Sequence, residues 1–326
     1  MNAPTPLAQD DAHALFERYE LGNVQALTPA ANGVENSNYF VTLAREDGRP
    51  RDVVLTLLEQ PSYAGQRPFS DLLDNCGRAG LPVPRLYRNR DRRAFDECAG
   101  RPAIISSRLR GQHVLNPTRR HIAAVGRFLA RFHQVTYKLA SLLPAYPRNV
   151  HWLSTTLAEV GPYIPYGERQ LIRSVTRETE SLLERGDVKA LQQSGIHGDL
   201  FRDNVLFNRH GLSGVLDFHH ASRGYCVYDL AVVVNDWCTD GQGRVDPDRA
   251  LALLRSYHAV RALAPIEIWC FPLFCAYAAA AFFLSRSAAR LNGSTRVKDA
   301  SEFARIAEQH RNAPLTLDER LLDLAN

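Results

Sequence analysis

The stretch GIHGDLFRDNVLFNRHGLSGVLDF, Gly195 to Phe218, constrains this chain more than any other. Two short apolar runs, Val205-Leu206-Phe207 and Gly214-Val215-Leu216, flank a polar segment over residues 208–213. That pattern predicts a β-hairpin with a six-residue connection. If Phe207 faces Gly214, the antiparallel register sets Asn204 opposite Asp217 at the open end. An amide oxygen and a carboxylate converging there suit a hard, oxygen-seeking cation such as Mg2+ bound to phosphate. Asp199, five residues before Asn204, is placed to accept a proton beside that cation. A base and two metal ligands in one short unit are the parts that phosphoryl transfer requires. Asp and Asn are common turn residues. The weight therefore rests on the joint pattern H-x-D-x4-N, apolar hairpin, D-F, with His197 orienting the loop.

Several phrases carry a resemblance. HGDLFRDNVLF, GVENSNYFV, VVLTLLE and YDLAVVVNDWC together resemble the homoserine kinases of the aminoglycoside-phosphotransferase-like, choline-kinase-like superfamily of small-molecule kinases, over about Gly33 to Phe303. The resemblance implies a two-lobed α+β, protein-kinase-like fold. Residues 1–110 would form a small antiparallel-sheet lobe over the nucleotide. Residues 111–326 would form a larger, mainly helical lobe with the catalytic loop, the metal-binding hairpin and the acceptor pocket. It implies ATP as phosphoryl donor, Mg2+ as cofactor and L-homoserine as acceptor, giving O-phospho-L-homoserine for threonine biosynthesis. Asp199 would be the base, and Asn204 and Asp217 the metal ligands.

The first lobe reads as antiparallel strands over 24–27, 38–43 and 52–58, rich in β-branched and apolar residues. The hairpin turn Asn32-Gly33-Val34-Glu35-Asn36-Ser37 lacks G-x-G-x-x-G. By the resemblance its Asn-bearing loop folds over the nucleotide phosphates through backbone N–H groups, with Gly33, Asn36 and Asn38 as contacts. RPAIISSR, Arg101 to Arg108, reads as a strand leading into the hinge, where the backbone of Ser106, Ser107 and Arg108 would bond adenine. Thr56 departs from the kinase pattern. In kinase folds the third strand carries a lysine that pairs with the phosphates, and here a neutral hydroxyl replaces it. Arg67 and Arg202 are the candidate replacement cations.

Beyond residue 110 the period turns helical, with Ile122, Val125, Phe128, Leu129 and Phe132 on one face. Residues 139–166 read as a Pro- and aromatic-bearing linker, and 228–238 as a buried helix. Asp229 near the start of that helix is placed to cap it or to hold the catalytic loop. Asp236 at the other end opposes the helix dipole and so calls for a cationic partner, a substrate group or an arginine. An amino-acid zwitterion needs a cation for its carboxylate and an acid or amide for its ammonium. Arg202 and Asp236 could supply these, with Asn235 alongside.

Composition sets the outer bounds. The net charge of +4 is mild, and no long basic run marks a nucleic-acid face. The same balance weighs against a polycationic aminoglycoside as acceptor, which would favour an acidic pocket. The six cysteines form no C-x-x-C pair and no segment reads as a signal peptide, so a reduced, cytoplasmic protein is expected. The uncharged run Ile268 to Leu284 contains Pro272 and spans 17 residues. A membrane span wants about 20, so a buried helix is expected and the substrate should be a soluble metabolite. The sequence does not reveal an oligomeric state. Rival readings are a kinase for another small amino alcohol or an aminoglycoside, a metal-dependent phosphohydrolase using His197, Asp199, Asp217, His219 and His220, and a nucleotide-binding pseudokinase suggested by Thr56.

Overall fold

A computed structural model describes residues 6–30, 36–59, 67–240, 242–294 and 299–315. The chain divides into two compact units, one of residues 1–111 with 213–219, the other of residues 112–212 with 220–326.

In the first unit, α1 (Gln9–Phe16) precedes β1 (Asn23–Pro29), β2 (Ser37–Ala44) and β3 (Arg51–Leu57). Then follow α2 (Arg67–Arg78), β4 (Phe95–Cys98) and β5 (Arg101–Ser107). The strands form one antiparallel sheet in the order β1-β2-β3-β5-β4. Strict alternation in β2 decides which face is covered. Tyr39, Val41 and Leu43 turn inward with Val53, Leu55 and Leu57 of β3 and pack on Leu15, Phe16 and Tyr19. Each such fully buried aliphatic contributes about 1.5–3 kcal/mol relative to exposure. The opposite face presents Asn38, Phe40 and Thr42, paired in register with Thr56, Val54 and Asp52.

Ser213–His219 belongs to this first unit, whereas the sequence placed the whole hairpin in the second lobe. The reason is local. The Val215 N–H donates to Pro82 O at 2.8 Å, and His219 stacks on Phe69 with ring centroids 5.7 Å apart. The hairpin itself pairs β7 (Val205–Asn208) with β8 (Gly211–Val215). Its connection is therefore Arg209-His210, shorter than the six residues expected. Asn208 Oδ1 accepts the His210 N–H at 2.8 Å, an Asx turn that closes the loop early.

The second unit holds α3 (Arg119–Thr136), α4 (Val150–Val160), α5 (Tyr166–Glu184), α6 (Cys226–Trp237), α7 (Pro247–His258), α8 (Pro265–Leu291) and α9 (Ser301–Asn312). Thr118 caps α3 by accepting the His121 N–H, and the predicted face Ile122, Val125, Phe128, Leu129 and Phe132 is buried. Gly126 marks a close approach to α7, where an added Cβ would lie 2.6 Å from Leu253 O. Residues 139–166 are not a linker. They contain α4, started by Asn149, whose side chain accepts the Trp152 N–H at 2.9 Å. The apolar run near Pro272 lies in α8, a helix long and apolar enough to cross a membrane, but 78% of its most apolar window is buried within the protein. A short sheet pairs β6 (Gln193–Ile196) with β9 (Ser222–Tyr225), and the loop from His197 to Asn204 leaves from the end of β6.

Candidate active site

Side chains of α6 hold the backbone of the loop from His197 to Asn204. Asp229 accepts the backbone N–H groups of His197 (2.7 Å) and Gly198 (2.8 Å). Trp237 Nε1 donates to Leu200 O at 3.0 Å, and Asp236 accepts the Arg202 N–H at 2.7 Å. Asp229 and Asp236 are seven residues apart, two helical turns, so they share one face and grip the loop at both ends. Gly198 has φ +76, and a Cβ there would come within 3.0 Å of Tyr146 Cε2. Conformation and space both call for glycine.

Asp229 is fully buried, which opposes its charge. The His133 imidazole, 3.1 Å away at Nε2, and the His197 N–H outweigh burial and hold the carboxyl below its ordinary range. His133 answers in kind. Burial works against its protonation, but Cys226 and Asp229 raise it to about 9. Its Nδ1 lies 2.7 Å from the Tyr257 hydroxyl, which also accepts a bond from Arg261. His133, at the end of α3, is thus the counter-ion that keeps Asp229 anionic.

Asp199 is partly exposed, and its N–H donates to His197 Nδ1 at 3.3 Å. Asn204 Nδ2 donates to Asp199 O (2.8 Å) and to Asp199 Oδ2 (3.2 Å). With its amide N–H2 turned toward Asp199, Asn204 keeps its Oδ1 as an acceptor. In the first unit, Asp217 is exposed and follows β8 with φ 59, a left-handed conformation rare outside glycine. Strained backbone of this kind collects at functional positions.

Arg202 and Asp236, expected to hold the acceptor's carboxylate and ammonium separately, bind one another. Arg202 Nε and Nη2 donate to Asp236 at 3.2 and 3.4 Å, and Nη1 donates to Leu115 O at 3.2 Å. Burial raises the Asp236 pKa, and Arg202 pulls against that rise. Asn235 is also corrected. It is 2% exposed, its Nδ2 donates to Cys275 O and its Oδ1 lies 2.9 Å from His310 Nε2, so its amide joins α6 to α8 and α9 rather than meeting an acceptor.

On the first unit's open sheet face, Asn38 Oδ1 accepts the Thr56 hydroxyl at 2.6 Å, so the residue in the lysine position is tied to the neighbouring strand. Asn36 Oδ1 accepts the Glu59 N–H at 3.2 Å, and Gly33 lies outside the described residues. Arg67 is a poor substitute for a phosphate-binding lysine, since its side chain is 88% exposed and faces Asp71 at 3.5 Å. The hinge backbone is narrower than expected. Ser107 N–H donates to Arg85 O at 2.8 Å, and Ser106 pairs with Val54 on one side and Leu86 on the other. That leaves Arg108, the first residue past β5, whose guanidinium sits 4.1 Å over the Phe40 ring on the same open face.

Comparison with known proteins is consistent with this geometry. Residues 26–263 match the model of the phosphotransferase enzyme family. The chain belongs to that family. A homoserine kinase of Pseudomonas aeruginosa is 35% identical over 320 residues, covering 97% of this chain and 99% of the relative. A homoserine kinase of Cupriavidus metallidurans is 38% identical over 269 residues, 81% of each chain. Among solved structures, an amicoumacin kinase in complex with AMP-PNP and Ca2+ superposes with TM-score 0.70 at 15% identity, covering 96% of this chain and 97% of its own. An ethanolamine kinase of Plasmodium vivax superposes with TM-score 0.62 at 13% identity, covering 89% and 83%. At such identities these two establish the fold, a small antiparallel-sheet lobe with a helical lobe.

Sequence reasoning missed part of this phosphotransferase's site. Tyr146, Tyr228 and Tyr277 form a tilted cluster beside the His197–Asn204 loop, the Tyr146 and Tyr228 hydroxyls 2.9 Å apart and the Tyr228 and Tyr277 rings 4.9 Å apart. Arg148 follows Tyr146 by two residues. Tyr228 stands in the YDLAVVVNDWC phrase beside Asp229. The others lie in segments whose pattern announces a turn or a core helix.

Proposed function

We propose that this phosphotransferase moves the γ-phosphoryl group of ATP to the hydroxyl of L-homoserine, making O-phospho-L-homoserine for threonine biosynthesis. The observation that carries the reading is a base held on a rigid frame: Asp199 at the end of β6, steadied by Asn204, on a loop fastened at both ends to α6. Homoserine is favoured as acceptor because the relatives that span nearly the whole chain act under that name.

In this reading Asp199 orients the acceptor hydroxyl and takes its proton as the phosphorus–oxygen bond forms. The chain contributes chiefly alignment and electrostatics. The Asn204 amide oxygen and the Asp217 carboxylate are the oxygen donors that the family resemblance assigns to Mg2+, groups of the kind a hard cation takes. When bound, the cation offsets charge on the phosphate oxygens. Asn36, Asn38, the Gly33 loop and Arg108 are assigned to the nucleotide. Soluble small-molecule substrates and a cytoplasmic location follow from the same reading. The test is ADP release from MgATP over a panel of hydroxylated metabolites, including homoserine, ethanolamine, choline and an aminoglycoside. Homoserine should be preferred by kcat/KM, and preference for any other member overturns the assignment.

A further inference from the structure

In the second unit a line of buried polar side chains runs from the first turn of α8 to the loop that carries Asp199. Glu267, in that first turn, accepts the Ala264 N–H at 3.0 Å with one carboxylate oxygen and Arg261 Nη2 at 2.7 Å with the other. Arg261 Nη2 also donates at 2.7 Å to the side-chain oxygen of Gln192, the residue before β6, and Nη1 donates to the Tyr257 hydroxyl at 3.0 Å. That hydroxyl lies 2.7 Å from His133 Nδ1, and His133 Nε2 lies 3.1 Å from Asp229 Oδ2. Asp229 in turn holds the N–H groups of His197 and Gly198. All five side chains of the line are buried, Arg261 being the most exposed at 6%.

The line has a direction. A guanidinium has donors only, so the Tyr257 oxygen must accept from Arg261. Whichever of Tyr257 and His133 Nδ1 carries the proton between them, that short bond pins the ring, and a pinned Nδ1 aims Nε2 at Asp229. Capping of α8 accounts for Glu267, but not for the reach of Arg261 to both Tyr257 and Gln192. Nor does stability account for the pair. A buried Arg–Glu pair stabilises a fold no better than apolar residues of the same volume, and among the described residues Arg261 Nε is buried without a partner. What the pair supplies, and apolar residues would not, is a rigid donor at the Tyr257 oxygen.

We propose that Tyr257 and Arg261 are positioning residues for phosphoryl transfer: anchored by Glu267, they hold the His133 ring, which keeps Asp229 seated on the loop and Asp199 aligned with the acceptor hydroxyl. The kinetic part of this rests on Asp199 being the base.

The test begins with Tyr257→Phe, which keeps the ring and removes the hydroxyl. It should lower kcat about 10-fold, less than the ~10²-fold cost of an ångström of misplacement, with KM for MgATP and for the acceptor unchanged within about twofold. Hydrogen exchange of the His197 and Gly198 amides, followed by NMR, should quicken about 10-fold as the loop loosens. Arg261→Lys keeps the charge but lacks the fork that serves Tyr257, Gln192 and Glu267 together, and should give both changes. The double variant should fall below the slower single variant by no more than about twofold, because both substitutions break one line. A folded Tyr257→Phe with wild-type kcat and wild-type exchange overturns the proposal, as do single effects that multiply in the double variant. The unsubstituted enzyme gives a reading that no folding defect can touch. With its histidines labelled with 15N, a His133 ring N–H, assigned by its contacts to Tyr257, should be visible and slow to exchange at neutral pH; its absence overturns the proposal. The exchange and ring readings need no substrate. If they hold while Asp199→Asn retains turnover, the base assignment fails and the hold of Tyr257 and Arg261 on the loop stands.

Discussion

Replacing Asp229 with asparagine is the sharpest perturbation of the site that leaves every proposed reacting group chemically unchanged. The carboxylate accepts two backbone N–H groups of the catalytic loop and faces the His133 imidazole at 3.1 Å, all fully buried. Asn retains one acceptor oxygen and turns an NH2 toward a donor, leaving one buried N–H without its partner, at about 1–3 kcal/mol. It also removes the counter-ion of His133. Because removing one member of a buried pair costs about 3–5 kcal/mol, a total near the upper part of that range is expected, a large fraction of a typical 5–15 kcal/mol stability. The pH dependence is a second signature. His133 is raised from 6.5 to about 9, so its contribution is fully present below pH 6.5 and is lost as pH rises toward 9. At 1.36 kcal/mol per unit this is ~3 kcal/mol. Urea unfolding at pH 6 and pH 9 should show wild-type stability falling by about that much from this group, and Asp229→Asn should reduce the fall in part, since Cys226 and Asp229 together raise His133. Turnover should drop about 10²-fold, as displacement of a catalytic loop by an ångström does, with KM for ATP nearly constant. A variant within 1 kcal/mol of wild type at pH 7 (about the low end of the buried-bond penalty), with unchanged kcat, would refute the claim that Asp229 holds the loop.

Three further outcomes are expected. Asp199→Asn should lower kcat about 10²–10⁴-fold, the usual contribution of a general base, with the melting temperature preserved; near-normal turnover in stopped assays would remove Asp199 from the chemistry. Asp217→Ala should abolish MgATP turnover, and wild-type activity should vanish in excess EDTA and return with Mg2+; activity that survives chelation counts against a metal on Asp217. Gly126→Ala should destabilise by about 1–3 kcal/mol in thermal unfolding, although alanine favours helix by about 1 kcal/mol. The reason is that the new methyl meets Leu253 O at 2.6 Å and also runs into Ser256 Oγ; a stabilised variant would show that α3 and α7 can separate at little cost.

What the sequence determined by itself was local. The spacing of His197, Asp199 and Asn204, the β-period of strands β2 and β3, and the stripe of α3 are relations between residues a few positions apart, where one helical or strand period decides which side chains share a face. The α4 cap at Asn149 was equally local, but surrounding prolines and aromatics masked it. Only the tertiary structure decided how charges were partnered. Asp236 did need a cation, as its place at a helix C-terminus implied, yet sequence could not say whether that cation belonged to a substrate or to Arg202, 34 positions away. Asn235, beside it, faces the other way into α8 and α9 and spends its amide there. His133 and Asp229 meet across 96 positions. A buried charge is stable only when something distant in the chain is brought to meet it, and folding alone makes that pairing.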